Sequence, residues 1–242
     1  MPAEGQAVFR WHPKARVFDA KGEVLPQTSG GGVIASPSSG LALAQALAVP
    51  GQPFRIGGPG EAPQGQGMFE TLTSGSSGQP RRIRRSMASW VASFRINASL
   101  FGIGPGCRVA VLGQLQQSLA LYGAVETVHL GAEAHLLDAL RPDRQRAALA
   151  TRKLGLLYAT PAQLRLLVEA GGANLPDLQL IVVGGSKLDP GLRAALAAIT
   201  PAALREFYGA AEASFITLAD AQTPEASVGR AYPGVEIDIR HP

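Results

Sequence analysis

The chain has 242 residues, of which 46% are hydrophobic and 17% are charged, a composition typical of a folded globular protein rather than of a disordered chain. A net charge of +4 suits an anionic ligand, while aromatic residues make up only 6% and do not alternate with the basic ones. We therefore expect no nucleic-acid partner. The single cysteine, Cys107, excludes a disulfide framework within the chain.

Membrane spans and export signals leave long apolar runs, and the sequence contains none of sufficient length. A span needs about 18 to 20 apolar residues in succession. Residues 1–11 also lack the apolar run and the cleavage site of a secretory signal. The sequence therefore predicts a cytoplasmic protein without a membrane span.

The first part of the chain, residues 1–65, is predicted to be an irregular N-terminal segment rich in turns. Within it, residues 18–25 have the pattern of a β-hairpin, and residues 38–49 are compatible with one short helix. Glycine, proline and glutamine then cluster in residues 57–67, which is typical of a linker. We expect a second unit, residues 66–242, to follow as an α/β core.

From Met68 onward, short apolar strands alternate with helices whose apolar residues recur every three or four positions. The predicted strands are residues 68–73, 108–112, 127–131, 154–159, 178–183, 204–208, 214–218 and 235–240. The predicted helices are residues 86–98, 116–125, 143–152 and 190–199, with a further one that begins at Pro161. This alternation predicts an α/β fold built on a mostly parallel sheet that helices cover on both faces.

A loop rich in serine and glycine separates the first strand of this unit from its first helix. The loop reads Thr73-Ser74-Gly75-Ser76-Ser77-Gly78 and continues to Pro80. Flexible backbone N–H groups and hydroxyls suit a polyphosphate, although a plain linker also has this composition. The loop matches neither the Walker pattern nor the dinucleotide fingerprint. Its position between a strand and a helix favours a phosphate-binding loop.

Other polar residues leave alternatives open. The basic run at residues 81–85 is compatible with a solvated loop and helix start, and Arg81, which adjoins the glycine loop, is equally compatible with a phosphate contact. Glu212 follows a predicted strand and is, taken alone, compatible with a solvated acid. His129 and His135 have no carboxylate at a metal-binding spacing, so we expect them to be core or surface residues.

The glycine loop resembles the phosphate-binding motif of the adenylate-forming superfamily of acyl-CoA synthetases, nonribosomal adenylation domains and luciferases. Residues 73–80 match that motif, and Arg81 stands where the family usually has lysine. Residues 206–212 resemble the family's Tyr-Gly-x-(Thr/Ser)-Glu motif, with Ala211 in place of the hydroxyl residue. Further segments resemble the family in the same order, at residues 160–161, 183–186 and 227–235.

The resemblance implies an enzyme that uses ATP, Mg²⁺ and coenzyme A, and that activates a carboxylic acid as an acyl-adenylate before forming a thioester. It also implies the large N-terminal domain of these ligases, in which mostly parallel sheets are stacked and flanked by helices. By resemblance, Arg81 and the loop hydroxyls hold phosphates, and Glu212 holds Mg²⁺. The other implied nucleotide-binding residues are Gly184, Gly185, Ser186, Tyr208, Gly209, Ala210 and Ala211, with Tyr208 against adenine.

The implied acid-binding pocket lies between residues 114–122 and the Gly184-Gly185 turn. Leu115, Leu119 and Leu121 indicate an apolar acyl or aryl group. Residues 212–217 resemble those of short acyl-CoA synthetases and o-succinylbenzoate-CoA ligases. We therefore expect an acid of that kind, with coenzyme A as the second substrate.

In the family, residues 227–235, the Gly-Arg segment, are followed by an aspartate for the ribose hydroxyls and by a mobile C-terminal domain that carries a lysine. The resemblance implies these parts, and the sequence printed here does not contain them. The last lysine of the chain is Lys187, upstream of Glu212. We therefore expect a truncated core without the C-terminal catalytic domain, nearly inactive by itself. The alternative is a degenerate, non-catalytic module that binds a nucleotide or a partner.

Overall fold

The computed structural model of the protein describes residues 7–36, 38–73 and 81–239. Its strands are β1 (Arg16–Asp19), β2 (Gly22–Val24), β3 (Gly32–Ile34), β4 (Phe54–Ile56), β5 (Met68–Leu72), β6 (Arg82–Ser86), β7 (Arg108–Val111), β8 (Glu133–Leu136), β9 (Leu156–Ala159), β10 (Leu180–Val183), β11 (Ala203–Ala210), β12 (Ser214–Ala219) and β13 (Arg230–Ala231). Its helices are α1 (Ser39–Ala46), α2 (Met87–Phe101), α3 (Ser118–His129), α4 (Pro142–Thr151), α5 (Pro161–Glu169) and α6 (Pro190–Ala197).

Within these residues the strands form a large sheet and a small sheet. The large sheet has the order β13-β12-β11-β10-β9-β7-β8-β1-β2, and the small sheet has the order β3-β4-β5-β6. From β1 across to β11 the large sheet is parallel, whereas β2, β12 and β13 pair antiparallel at its edges. In the small sheet β3, β4 and β5 are parallel and β6 is antiparallel. The predicted α/β fold with mostly parallel sheets is confirmed.

Each face of the large sheet has its own apolar core, because alternate residues of a strand point to opposite sides. Val109 and Tyr158 pack with α2, α3 and the small sheet. The neighbouring residues Ala110 and Leu157 pack with α4, α5 and α6. Burial on both sides explains the continuous apolar runs of these strands, and each fully buried leucine contributes about 1.5–3 kcal/mol. Helix α3 contacts both β5 and β8, so it lies between the two sheets.

The predicted hairpin and the predicted first helix are both present. β1 and β2 pair antiparallel, with Asp19 opposite Gly22. α1 begins after Ser38, whose side chain accepts a hydrogen bond from the Leu41 backbone N–H at 3.3 Å. Strands that precede residue 66 take part in both sheets. The proposed division of the chain at residue 65 stays a prediction.

The predicted strand at residues 127–131 is wrong, because α3 continues to His129. The Thr127 hydroxyl donates to the Gly123 backbone oxygen at 2.6 Å, one turn earlier in the same helix. Residues 120–129 are all buried. An apolar run that is buried on every side has no periodicity that distinguishes a helix from a strand.

Two other local predictions also differ from the structure. The sequence suggested a loop and helix start at residues 81–85, but residues 82–86 form β6 and pair antiparallel with β5. Arg82 and Arg84 are bound there by backbone oxygens of the preceding loop, those of Pro59 and Gln64. The described part of the predicted strand 235–240, residues 235–239, has no strand pairing. Alternating apolar residues form a strand only where a neighbouring strand is free to pair.

Helix lengths also bear on a membrane location. The longest helix among the described residues, α2, has 15 residues. None of the described helices is both long enough and apolar enough to cross a bilayer.

Candidate functional site

A pocket of about 390 Å³ lies where the carboxyl ends of β9, β10 and β11 meet the end of β5 and the start of α3. Loops that follow neighbouring parallel strands converge at this edge, which is where open α/β sheets bind ligands. The lining residues are Leu72, Thr73, Arg81, Gln117, Ser118, Leu119, Tyr122, Thr160, Gly185, Phe207, Gly209, Ala210, Ala211, Glu212, Ser214 and Phe215. The pocket therefore gathers residues of every motif that the sequence singled out between residues 73 and 212.

The base of the glycine loop is fixed at the rim of this pocket. The Thr73 N–H donates to the Arg81 backbone oxygen at 2.9 Å, and the Arg81 N–H donates to Thr73 Oγ1 at 3.1 Å. The Leu72 N–H donates to the Gln116 oxygen at 2.9 Å, which ties β5 to the segment before α3. The loop residues Ser74, Gly75, Ser76, Ser77 and Gly78 lie outside the described residues, so their phosphate contacts stay a prediction.

The Gly184-Gly185-Ser186 turn follows β10 at the same edge. A Cβ on Gly184 would lie 2.2 Å from the Phe207 ring, so packing alone requires glycine there. Gly185 has a φ of 102° and lines the pocket. Ser186 and Tyr208 instead line an adjoining cleft of about 290 Å³, which Gly185 and Gly209 also border. Tyr208 is 56% exposed, so its ring is available to stack on a planar ligand.

Glu212 lies in the tight turn between β11 and β12. The Ala213 N–H donates to the Ala210 oxygen at 3.0 Å and closes this turn. Ser214 adopts a φ of 64°, a left-handed conformation that is uncommon outside glycine. A Cβ on Gly209 would lie 1.9 Å from the Ser214 oxygen, so only glycine permits this close approach of the strands. The turn directs the exposed Glu212 towards the pocket.

Arg85 contacts this turn, a contact that reasoning from the sequence missed. Its Nη1 donates to the Ala211 backbone oxygen at 2.6 Å, although it belongs to β6 of the small sheet. The sequence suggested that the basic run is solvated. Only the alternation of a strand shows which of its arginines face inward and which face solvent. In a strand, Arg85 shares the inward face of Ile83, two positions earlier, while Arg82 and Arg84 point outward.

One wall of the pocket is apolar. Leu119, Tyr122, Phe207 and Phe215 line it, and the Tyr122 and Phe215 rings meet edge to face at 5.3 Å. Of the leucines that the sequence associated with the acid, Leu119 lines the pocket. Leu115 and Leu121 do not, because both are buried in the core. Aromatic rings on β11 and β12 take the place that these leucines were expected to have.

A buried polar cluster lies behind this wall and supports Tyr122. Asn97 Nδ2 donates to Glu126 Oε1 at 2.9 Å and to the Tyr122 hydroxyl at 3.0 Å, and the Tyr158 hydroxyl donates to the other Glu126 oxygen. The Tyr232 hydroxyl, from the Gly-Arg segment, donates to Asn97 Oδ1 at 2.7 Å. Burial raises the pKa of Glu126 to about 8, and the hydrogen bonds from Tyr158, Asn97 and Tyr122 oppose that rise.

The site offers one carboxylate for a divalent cation. Glu212 is exposed at the pocket, and no cluster of three or more His, Cys, Asp or Glu among the described residues could hold a metal ion. A single hard carboxylate fits Mg²⁺, which keeps several waters and binds mainly to substrate phosphates. His129 and His135 are both buried, and His135 bonds Glu133 Oε1 through Nε2 at 2.8 Å.

The amino-acid sequence is similar to those of several curated proteins. The profile of the AMP-binding enzyme family matches residues 55–242. An uncharacterized acyl-CoA ligase of Bacillus subtilis, YhfT, is 34% identical over 175 residues, which cover 70% of this chain and 36% of YhfT. The phenyloxazoline synthase MbtB of Mycolicibacterium paratuberculosis is 25% identical over 176 residues, which cover 69% of this chain and 14% of MbtB. The chain thus spans about a third of YhfT and less of MbtB.

Solved structures share the fold. The o-succinylbenzoate coenzyme A synthetase MenE of Bacillus subtilis, solved with ATP and a magnesium ion, has a TM-score of 0.63 at 19% identity and covers 72% of this chain and 37% of MenE. The crystal structure of VinN has a TM-score of 0.72 at 15% identity and covers 90% of this chain and 77% of VinN. Because the family match extends over well more than half of the chain, the protein belongs to the AMP-binding enzymes, the adenylate-forming ligase family.

Proposed function

We propose that the chain is the nucleotide- and acid-binding part of an ATP-dependent acyl-CoA ligase of the cytoplasm. The observation that carries the proposal is the pocket that gathers Thr73 and Arg81, Gly185, and Glu212 from three separate segments. Thr73 and Arg81 form the base of a loop suited to phosphate, Gly185 gives a turn without a side chain, and Glu212 provides an exposed carboxylate. Together these groups suit a nucleotide with its cation. Family membership supports the same assignment.

The reaction would be attack of a carboxylate oxygen on the α-phosphorus of ATP. A bond forms between the carboxylate oxygen and the α-phosphorus. The bond from the α-phosphorus to the oxygen that bridges to the β-phosphate breaks, and pyrophosphate leaves with its electron pair. The thiol sulfur of coenzyme A would then attack the acyl carbon and lose its proton to solvent, while the bond from that carbon to the phosphate oxygen breaks and AMP leaves. Arg81 and the loop hydroxyls would orient the phosphates, and Glu212 would bind Mg²⁺, whose charge offsets that of the phosphate oxygens. Positioning and charge neutralisation account for the catalysis.

The acid that suits this pocket is a short apolar acyl or single-ring aryl acid. The wall offers Leu119, Tyr122, Phe207 and Phe215 and no charged side chain. A volume of about 390 Å³ is small for a ligand site, and the α-phosphate region shares it. Tyr122 is held from behind by the Asn97–Glu126 cluster, so the wall does not recede easily.

Calorimetric titration of the chain with ATP and Mg²⁺ at millimolar concentration tests the nucleotide site. We expect heat of binding that depends on Mg²⁺ and that falls in Glu212→Ala. The matched control is Glu225→Ala, because Glu225 is an exposed acid outside the pocket. Identical titrations for the wild-type chain and Glu212→Ala, or no heat from either, would reject the proposal.

A second candidate is a non-catalytic module that binds a nucleotide or a partner. Ala211 favours it, because this pocket residue places a methyl group where the related motif has a hydroxyl. A pyrophosphate-release assay with a panel of short aliphatic and aromatic acids decides between the two, using protein expressed from the entire reading frame. Turnover with any acid supports the ligase. Silence with every acid, together with Mg²⁺-dependent binding of ATP, supports the module.

A further inference from the structure

Arg85 joins the two sheets of the protein at the turn that carries Glu212. Its Nη1 donates to the Ala211 backbone oxygen at 2.6 Å, across 126 positions of sequence. Arg85 belongs to β6, the strand that leaves the glycine loop, and Ala211 lies between β11 and β12. The contact therefore links the phosphate-loop strand of the small sheet directly to the large sheet.

The guanidinium of Arg85 is held on its own side of the contact. Its Nη2 donates to Ser89 Oγ at 3.2 Å, and Ser89 Oγ donates in turn to the Ser86 backbone oxygen at 2.7 Å. Ser86 is the N-cap of α2, and the Arg85 backbone pairs with Phe69 of β5. The Arg85 backbone is therefore fixed by pairing with β5, and its guanidinium is fixed by the start of α2.

The turn has one closing hydrogen bond of its own and one residue in an uncommon conformation. The hydrogen bond from Ala213 to Ala210 closes it, while Ser214 adopts an unfavourable left-handed conformation. Burial lowers the pKa of the Arg85 guanidinium, and the Glu212 carboxylate is the leading charge that opposes this effect. Glu212 is thus the main acidic group within electrostatic range of Arg85. None of the ion pairs among the described residues involves Arg85.

We propose that Arg85 is a positioning residue, which holds the Ala211 carbonyl and thereby fixes the Glu212 turn relative to the glycine-loop strand. Arg81, the proposed phosphate contact, lies four residues before Arg85 on the same segment. Because Arg85 holds the turn of Glu212, the proposed cation ligand, the distance between Arg81 and Glu212 stays constant. This inference rests on the proposed function as far as the ligand is concerned. The contact to the turn stands independently of any ligand.

Arg84 is a matched control for Arg85. It is the adjacent residue of the same strand and carries the same charge, but it faces outward and bonds the Gln64 backbone oxygen. Arg84→Gln and Arg85→Gln therefore make the same change in net charge and side-chain length. A difference between the two variants reports the contact at Ala211.

Hydrogen exchange in the peptides that cover residues 207–216 tests the contact without any ligand. We expect Arg85→Gln to speed exchange there about tenfold, because a hydrogen bond from a charged group is lost, and Arg84→Gln to leave it unchanged. Arg85→Lys, which keeps the charge and one donor nitrogen, should give an intermediate rate and serves as the test if Arg85→Gln does not fold. Equal exchange in the wild type and both Arg85 variants overturns the proposal.

A titration of Mg²⁺ at a fixed ATP concentration tests the consequence for the site. Arg85→Gln should move the midpoint to higher Mg²⁺, while Arg84→Gln should keep the wild-type midpoint. An unchanged midpoint in Arg85→Gln overturns the positioning role even if exchange has increased. A wild-type chain that binds no nucleotide would instead reject the proposed function, and the exchange experiment would still decide whether Arg85 holds the turn.

Discussion

The Tyr122 hydroxyl donates to Glu126 Oε1 at 3.3 Å, so the apolar wall of the pocket rests on a buried acid. Tyr122 lines the pocket with its ring, while Glu126, one turn later in α3, is completely buried against α2 and β9. Because Glu126 is buried and bonds Tyr122, a change in its protonation changes the stability of the apolar wall of the pocket.

Replacing Glu126 by glutamine should change how stability depends on pH. The pKa of Glu126 is about 8 in the folded protein against an ordinary value of 4.5, so the folded state binds more protons between these values. The free energy of unfolding therefore falls as pH rises from about 4.5 to about 8, and Glu126→Gln removes this part of the fall. Urea unfolding at several pH values from 5 to 9 measures it. A difference between variant and wild type that stays constant over this range contradicts the prediction.

Replacing Gly184 by alanine should destabilise the protein by about 1–3 kcal/mol, the usual cost of overpacking. The added methyl group would lie 2.2 Å from the Phe207 ring, which is itself part of the pocket wall. Gly104→Ala is the control, since a Cβ there meets nothing within 4 Å. Chemical denaturation compares the two variants, and equal midpoints would show that Phe207 moves aside at little cost.

Replacing Tyr232 by phenylalanine should cost about 1–3 kcal/mol, because Asn97 Oδ1 loses its donor in a buried site. The same change also removes the hydrogen bond from the Tyr232 hydroxyl to the Ser93 backbone oxygen of α2 at 3.2 Å. Tyr208→Phe removes a hydroxyl from an exposed ring and should stay within about 0.5 kcal/mol of the wild type. Thermal or urea unfolding of both variants provides the measurement. If Tyr232→Phe is as stable as Tyr208→Phe, the buried hydrogen bond contributes nothing net.

Replacing Tyr208 by alanine should weaken ATP binding while leaving stability nearly unchanged. Its ring is 56% exposed in the cleft beside Gly185, and loss of stacking between an aromatic ring and a base costs about 1–3 kcal/mol. Leu166→Ala is a control, because Leu166 is 50% exposed on α5 and lies outside both clefts. Calorimetry gives the two affinities. Equal affinities for Tyr208→Ala and Leu166→Ala would remove Tyr208 from the proposed nucleotide site.

The sequence predicted most elements whose pattern is local. Apolar runs flanked by turns predicted β7, β9 and β10, and each is present within a few residues of its expected bounds. The motifs predicted the family, and the strand pattern predicted that the glycine loop, the Gly184-Gly185 turn and Glu212 each follow a strand, as they do after β5, β10 and β11. These features depend on residues that are close together in the chain, which a single sequence contains.

Only the tertiary structure decided the features that depend on partners far away in the chain. Residues 127–129 are helical, which their sequence does not indicate because residues 120–129 are all buried and have no helical periodicity, and residues 235–239 lack strand pairing despite their alternation. The basic run is a strand whose one inward arginine, Arg85, reaches Ala211 in the other sheet. Periodicity reports which face of an element is buried, but it does not report what lies against that face. For that physical reason the motifs of the pocket were visible in the sequence, whereas the contact that holds Glu212 in place was not.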